Sequence, residues 1–241
     1  MITHRRRTHN RLPRLLAPAL WATVALAAGA AVAAPADTDP GLSPFALTVS
    51  DFAALDRGGL IETSMAVLGV MSFVLLAVAR RWLTTARGLP SVLLAAWGLG
   101  LVVAAVVPTD PLTTHLSGSA YVHRYASITA FLALPLAGLL LARRLTAGPD
   151  ALRTARRLRL LSGVALAGAV VMALSAGPGD RELIGLVERV LLGSEVVLLG
   201  VFGHYVQRQM PLHDEGAEDS PRGARGPFRL GGAAVRAPKS G

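Results

Sequence analysis

The chain alternates long apolar runs with short polar breaks, and the runs have the length of membrane-crossing helices. A hydrocarbon core of roughly 30 Å needs about 20 apolar residues in helix. Five runs carry no internal charge, at 15–34, 65–79, 89–107, 126–142 and 160–177. The second extends back to about residue 59 and takes in Glu62. The fourth extends back to about residue 120, which brings His123 and Arg124 to its mouth. A sixth run, 183–206, is apolar but carries Glu188, Arg189 and Glu195. No run alternates with period two, so a β-barrel is excluded and helices remain. The expected fold is all-α, a six-helix polytopic transmembrane bundle over 15–206. Its helices lie near 15–34, 59–79, 89–107, 120–142, 160–177 and 183–206.

The two ends differ from this core. Residues 1–14 form a basic N-terminus with Arg5, Arg6, Arg7, Arg11 and Arg14. The run that follows has two readings, a retained first helix or a signal peptide cleaved after Ala31-Val32-Ala33-Ala34. Its length, about 20 residues, exceeds a typical signal core of roughly 7–15 and favours retention. Residues 207–241 turn to Gly, Pro, acidic and basic positions, the composition of a disordered cytoplasmic tail.

Composition and charge sharpen the picture. Of 241 residues, 52% are hydrophobic and 16% charged, against about 25% charged in a soluble domain. The chain has no Cys, so disulfide scaffolds, thiolate nucleophiles and Cys-based metal sites drop out. The net charge of +9 is mostly an orientation signal. With the N-terminus inside, 20 basic residues fall on the cytoplasmic side, three outside and Arg189 in a helix. Positive residues collect on the cytoplasmic side of membrane proteins, so both termini are expected there, in a multi-pass protein of the cell membrane. Tyr121 and Tyr125 fall at the outer interface, with Trp82 and Tyr205 at the inner one, as an aromatic belt requires. Trp97 lies mid-span and reads as packing. Gly163, Ala167, Gly168 and Ala169 suit close helix approach.

The candidate chemistry is what remains polar inside or beside the spans. An ionisable residue at mid-helix costs about 2.5–3.5 kcal/mol on insertion scales. Glu188, Arg189 and Glu62 share a shallow depth on the outer side, while Glu195 lies near the midplane. An ion pair of Glu62 or Glu188 with Arg189 is one reading, and a proton relay or a polar-headgroup site is another. The outer loop adds Asp110, His115 and His123, types that ligate zinc, though their spacing matches no established ligand pattern. The alternative is that Asp110 caps a turn and the imidazoles bond the helix mouths. His123 and Arg124 together suit a lipid phosphate. Ser50-Asp51 is an N-cap-like signal before a short amphipathic piece. No catalytic triad, phosphate loop, HExxH pair or nucleic-acid surface is present in the sequence, and no cofactor is expected.

Four segments carry a resemblance. They are Thr48-Val49-Ser50-Asp51, Val107-Pro108-Thr109-Asp110-Pro111, His115 with Val122-His123, and Gly185-Leu186-Val187-Glu188-Arg189. In this order over 15–206 the chain resembles the bacterial and archaeal membrane family called domain of unknown function 998. That resemblance implies six membrane helices with the first retained, and it implies no reaction. Three functions stay open. The first is binding of a lipid headgroup or small solute by an outer cluster of Asp51, Asp110, His115, His123, Arg124, Glu188 and Arg189, with Glu62 at the depth of Glu188 and Glu195 deeper. The second is metal-assisted lipid hydrolysis through Asp110, His115 and His123. The third is a structural or assembly subunit held by Glu188 and Arg189. The expected partners are membrane lipids and other membrane proteins, not nucleic acid.

Overall fold

The computed structural model describes residues 12–38, 45–55, 59–110, 117–176, 181 and 183–210; over 12–14 and 31–38 it describes backbone alone. The basic residues before 12, His115 and residues 211–241 of the tail expected over 207–241 lie outside them. The described residues form seven α-helices and one 3-10 turn, with no strand. The helices are α1 (Leu12–Thr38), α2 (Val49–Leu55), α3 (Leu60–Trp82), α4 (Leu89–Val106), α5 (Gly118–Arg144), α6 (Pro149–Ala176) and α7 (Ile184–Arg208), and the turn is Thr84–Ala86.

Local sequence explains where each helix begins. Thr48 and Asp51 start α2 with a reciprocal capping pair: Thr48 Oγ1 accepts from the Asp51 N–H at 3.0 Å, and Asp51 Oδ2 accepts from the Thr48 N–H at 2.9 Å. The cap is thus Thr48, two residues before the expected Ser50-Asp51 signal begins. Glu62 reaches back to the Gly59 N–H at 3.0 Å and fixes the start of α3. Gly88 precedes α4 at φ +76°, a conformation that disfavours any side chain, with Pro90 in the first turn. Ser117 caps α5 through the Ala120 N–H. The largest departure from expectation is α6, which starts at Pro149, eleven residues before the apolar run at Leu160. Those residues are basic but good helix formers, so the helix extends past its apolar part.

Four helices, α3, α4, α5 and α6, are long and apolar enough to cross a membrane. In α1 the apolar part is the shorter Leu15–Ala30. The chain winds so that α1, α3, α4, α5, α6 and α7 each pack on the next, and α7 closes the ring against α1. In addition α7 touches α3 and α5, which makes it the most central helix. Its inward positions are filled by Leu191, Leu198, Leu199 and Phe202, all nearly inaccessible. Facing outward from the other helices are Val70, Phe73, Val92, Leu99, Leu132, Val164 and Val170. An apolar surface all round is what a lipid-facing bundle presents.

Close packing relies on glycines in places the composition did not single out. A Cβ on Gly98 of α4 would lie 2.2 Å from Ser72 Oγ of α3, and one on Gly138 of α5 would lie 2.4 Å from Ser162 Oγ of α6. Gly163, expected at a close approach, has nothing within 4 Å, whereas Gly168 meets Leu191 of α7. Tyr205 also departs from its expected place in an exposed belt: it is only 8% exposed, enclosed between α7 and its neighbours, while Trp82 is 39% exposed under Arg81.

The two ends of the bundle carry different chemistry. Arg80, Arg87, Arg144, Arg153, Arg157, Arg159 and Arg208 collect at one end. Several serve helix C-termini there: Arg87 donates to the Arg80 carbonyl, Arg144 to those of Thr85 and Arg87, and Arg159 to that of Ala142. Unsatisfied carbonyls and the negative end of the helix dipole favour guanidinium there. The other end carries Asp51, Glu62, Asp110, His123 and Glu188.

Candidate functional site

Two adjoining groups of side chains form at that second end. The first is built around Glu188, in the first turns of α7 and 1% exposed. Its Oε2 accepts the backbone N–H of Val49, the first residue of α2, and its Oε1 lies 3.5 Å from Ser50 Oγ. The first N–H groups of a helix have no partner within it, so a carboxylate from another helix completes α2. Arg189 donates through Nη1 to the carbonyls of Leu47 and Gly185, each at 3.0 Å, and its guanidinium lies 5.6 Å from the centre of the Phe52 ring. Asp51 faces Arg181 across 2.8 Å. Glu188, Arg189 and Asp51 are therefore brought together, and what joins them is the short helix α2. Glu188 and Arg189 each bond the backbone around α2.

The second group lines a cavity of about 160 Å³ between α2, α3, α4 and α5. Its polar lining is Ser50, Glu62, Thr109 and His123; Ala53, Met65, Ala104 and Val106 supply apolar wall. His123 sits in the second turn of α5 and is 5% exposed. Its Nδ1 lies 3.0 Å from the Val107 carbonyl, at the end of α4. A carbonyl oxygen only accepts, so Nδ1 carries the hydrogen. In its neutral form the ring then presents a lone pair at Nε2, an atom that is buried and has no hydrogen-bond partner among the described residues. Buried polar atoms are rarely left unmatched. The imidazole thus bonds a helix mouth, as its position suggested, and keeps one atom for another partner.

The remaining candidates lie elsewhere. Asp110 accepts from the Ser117 N–H at 2.6 Å and from Ser117 Oγ at 3.0 Å, so it ties the end of α4 to the start of α5. Arg124 is exposed and does not line the cavity. His115 lies outside the described residues, among which no group of three or more His, Asp or Glu could hold a metal. Glu195 is on α7, two turns beyond Glu188 and about 10 Å along the axis. It is 1% exposed and accepts from Trp97 Nε1 at 3.3 Å, while its Oε1 has no partner among the described residues. Trp97 was legible as a packing residue; its role as the donor to Glu195 was not, because nothing in the spacing of α4 and α7 reveals their register.

The chain belongs to the family described as Protein of unknown function (DUF998), whose model matches residues 15–205. No curated protein and no solved structure matches it. Together with its apolar helices, this makes the chain a multi-pass membrane protein.

Proposed function

We propose that the protein is a six-span binding protein of the cell membrane, and that its outer cavity takes the hydrogen-bond donor of a lipid headgroup or small solute. One observation carries the reading: His123, whose buried Nε2 has no hydrogen-bond partner among the described residues, lines a cavity together with Glu62. In its neutral form His123 offers a lone pair, so a donor such as an ammonium or hydroxyl group fits it and a phosphate does not. The cavity, about 160 Å³, is smaller than the roughly 300–1,000 Å³ of sites for drug-sized ligands. It suits a fragment of a few heavy atoms, such as an ethanolamine or glycerol headgroup. Accessory or transport-type roles follow from such binding.

The test uses purified full-length protein in detergent and reads thermal stabilisation by phosphatidylethanolamine against phosphatidylcholine, whose headgroup carries no hydrogen-bond donor. His123→Asn keeps a donor for the Val107 carbonyl and removes the Nε2 lone pair. Glu62→Gln keeps an acceptor for the Gly59 N–H and removes the charge. The ethanolamine lipid should stabilise the native protein more, and each variant should erase the difference. Equal stabilisation of native protein and both variants would sink the reading.

A second reading, a structural or assembly subunit, is favoured by one observation. Glu188 and Arg189 both bond backbone around α2, which is the behaviour of a clamp. It expects no lipid to distinguish native protein from the His123 variant.

A further inference from the structure

The arginine-rich end holds a second and larger cavity, about 470 Å³, lined from α1, α6 and α7. Its origin is the helical extension of α6 before Leu160, which gives the arginines there a helical spacing. Arg153 and Arg157 are four apart and share one face of α6; His204 and Arg208 are four apart and share one face of α7. Both pairs line the cavity, and Asp150 lies with them. Asp150 is 3.4 Å from Arg153 and 3.7 Å from Arg208, long and solvent-exposed contacts with both partners. Arg157 has no carboxylate partner among the described residues. Three guanidiniums against one carboxylate leave two positive charges over.

The opposite wall is apolar. Trp21 of α1 lies on Gly200 of α7 so closely that a Cβ there would meet the indole at 2.7 Å, and Val201 continues that wall. A charged rim beside an aromatic wall fits an amphiphile better than a soluble ion. Guanidinium binds phosphate through paired hydrogen bonds, and basic pockets between membrane helices suit anionic headgroups.

We propose that this cavity is a phosphate-binding site, whose ligand is the headgroup phosphate of an anionic membrane lipid. It is independent of the outer cavity in place and in charge preference.

The test measures lipid retained by the full-length protein, by native mass spectrometry, with phosphatidylglycerol, phosphatidylcholine or inorganic phosphate added. Native protein should retain phosphatidylglycerol in preference to phosphatidylcholine. Arg157→Gln should weaken retention roughly five-fold, and Arg153→Gln with Arg157→Gln about twenty-five-fold. Asp150→Asn, which removes the competing carboxylate, should strengthen it, a gain that no loss of folding can imitate. Retention unchanged in both Arg157→Gln and Asp150→Asn would overturn the site. Displacement of the lipid by millimolar inorganic phosphate would overturn the lipid assignment and make free phosphate the ligand.

Discussion

Glu188 of α7 accepts the backbone N–H of Val49, the first residue of α2, across 139 positions of chain. A helix of seven residues does not persist alone in water, so α2 depends on this contact, on its Thr48–Asp51 cap and on the burial of Phe52. A hydrogen bond contributes about 0.5–1.5 kcal/mol net, and a buried donor left unmatched costs about 1–3 kcal/mol. Glu188→Leu should therefore release α2 while leaving the long helices intact. Glu188→Gln, which keeps a carbonyl for Val49, should lose less than half as much. Hydrogen exchange over 49–55 reads this directly: fast exchange in the Leu variant and near-native exchange in the Gln variant. Native protection in both would remove Glu188 from the account of α2.

Trp97 of α4 and Glu195 of α7 form another contact between helices distant in sequence, at mid-bundle. Removing one partner leaves the other buried and unmatched, whereas replacing both with apolar groups is far less costly. Trp97→Phe and Glu195→Met should each destabilise, by about 1–3 kcal/mol. The double variant should lose at least about 1 kcal/mol less than the sum, beyond the roughly 0.5 kcal/mol within which independent sites add. Thermal or denaturant unfolding in detergent measures the cycle. Simple additivity would mean that the indole N–H and the carboxyl do not act on each other.

These two contacts mark where reading the sequence stops. The apolar runs of the sequence overlap long helices, and four of these helices are long and apolar enough to cross a membrane. Hydrophobic length misplaced the start of α6, since a basic amphipathic extension has no apolar run to announce it. Of the candidate residues, Glu62 and His123 were legible as polar groups at helix mouths, and they do line one cavity. That Glu188 serves α2 was not legible, because the contact depends on how a loop folds back, not on spacing. Nor was the cavity at the arginine-rich end, whose arginines read only as an orientation signal.

Glycine packing gives a third prediction. A Cβ at Gly98 would meet Ser72 Oγ at 2.2 Å, with the Gly69 carbonyl at 3.1 Å. Overpacking of this kind typically costs about 1–3 kcal/mol. Gly98→Ala should destabilise by that amount, and Ser72→Ala in the same chain should restore part of it. Gly163→Ala, at an open position, should be neutral or slightly stabilising, since Ala is the better helix former by about 1 kcal/mol. Melting curves of the four proteins decide it. If Gly163→Ala proves the more damaging, the α3–α4 approach described above is wrong.

Orientation is the last prediction, and the chain's lack of cysteine makes it simple to examine. Gly118, the first residue of α5, is exposed with open space at its Cβ position. Thr84, in the turn between α3 and α4, is exposed at the arginine-rich end. Single Gly118→Cys and Thr84→Cys variants therefore report opposite ends of the bundle. Because basic residues are retained on the cytoplasmic side, a membrane-impermeant maleimide added to intact cells should label Gly118→Cys and spare Thr84→Cys. After lysis both should react. The reverse pattern would place His123 and Glu62 inside the cell, and the donor sought for the outer cavity would then come from the inner leaflet or the cytosol.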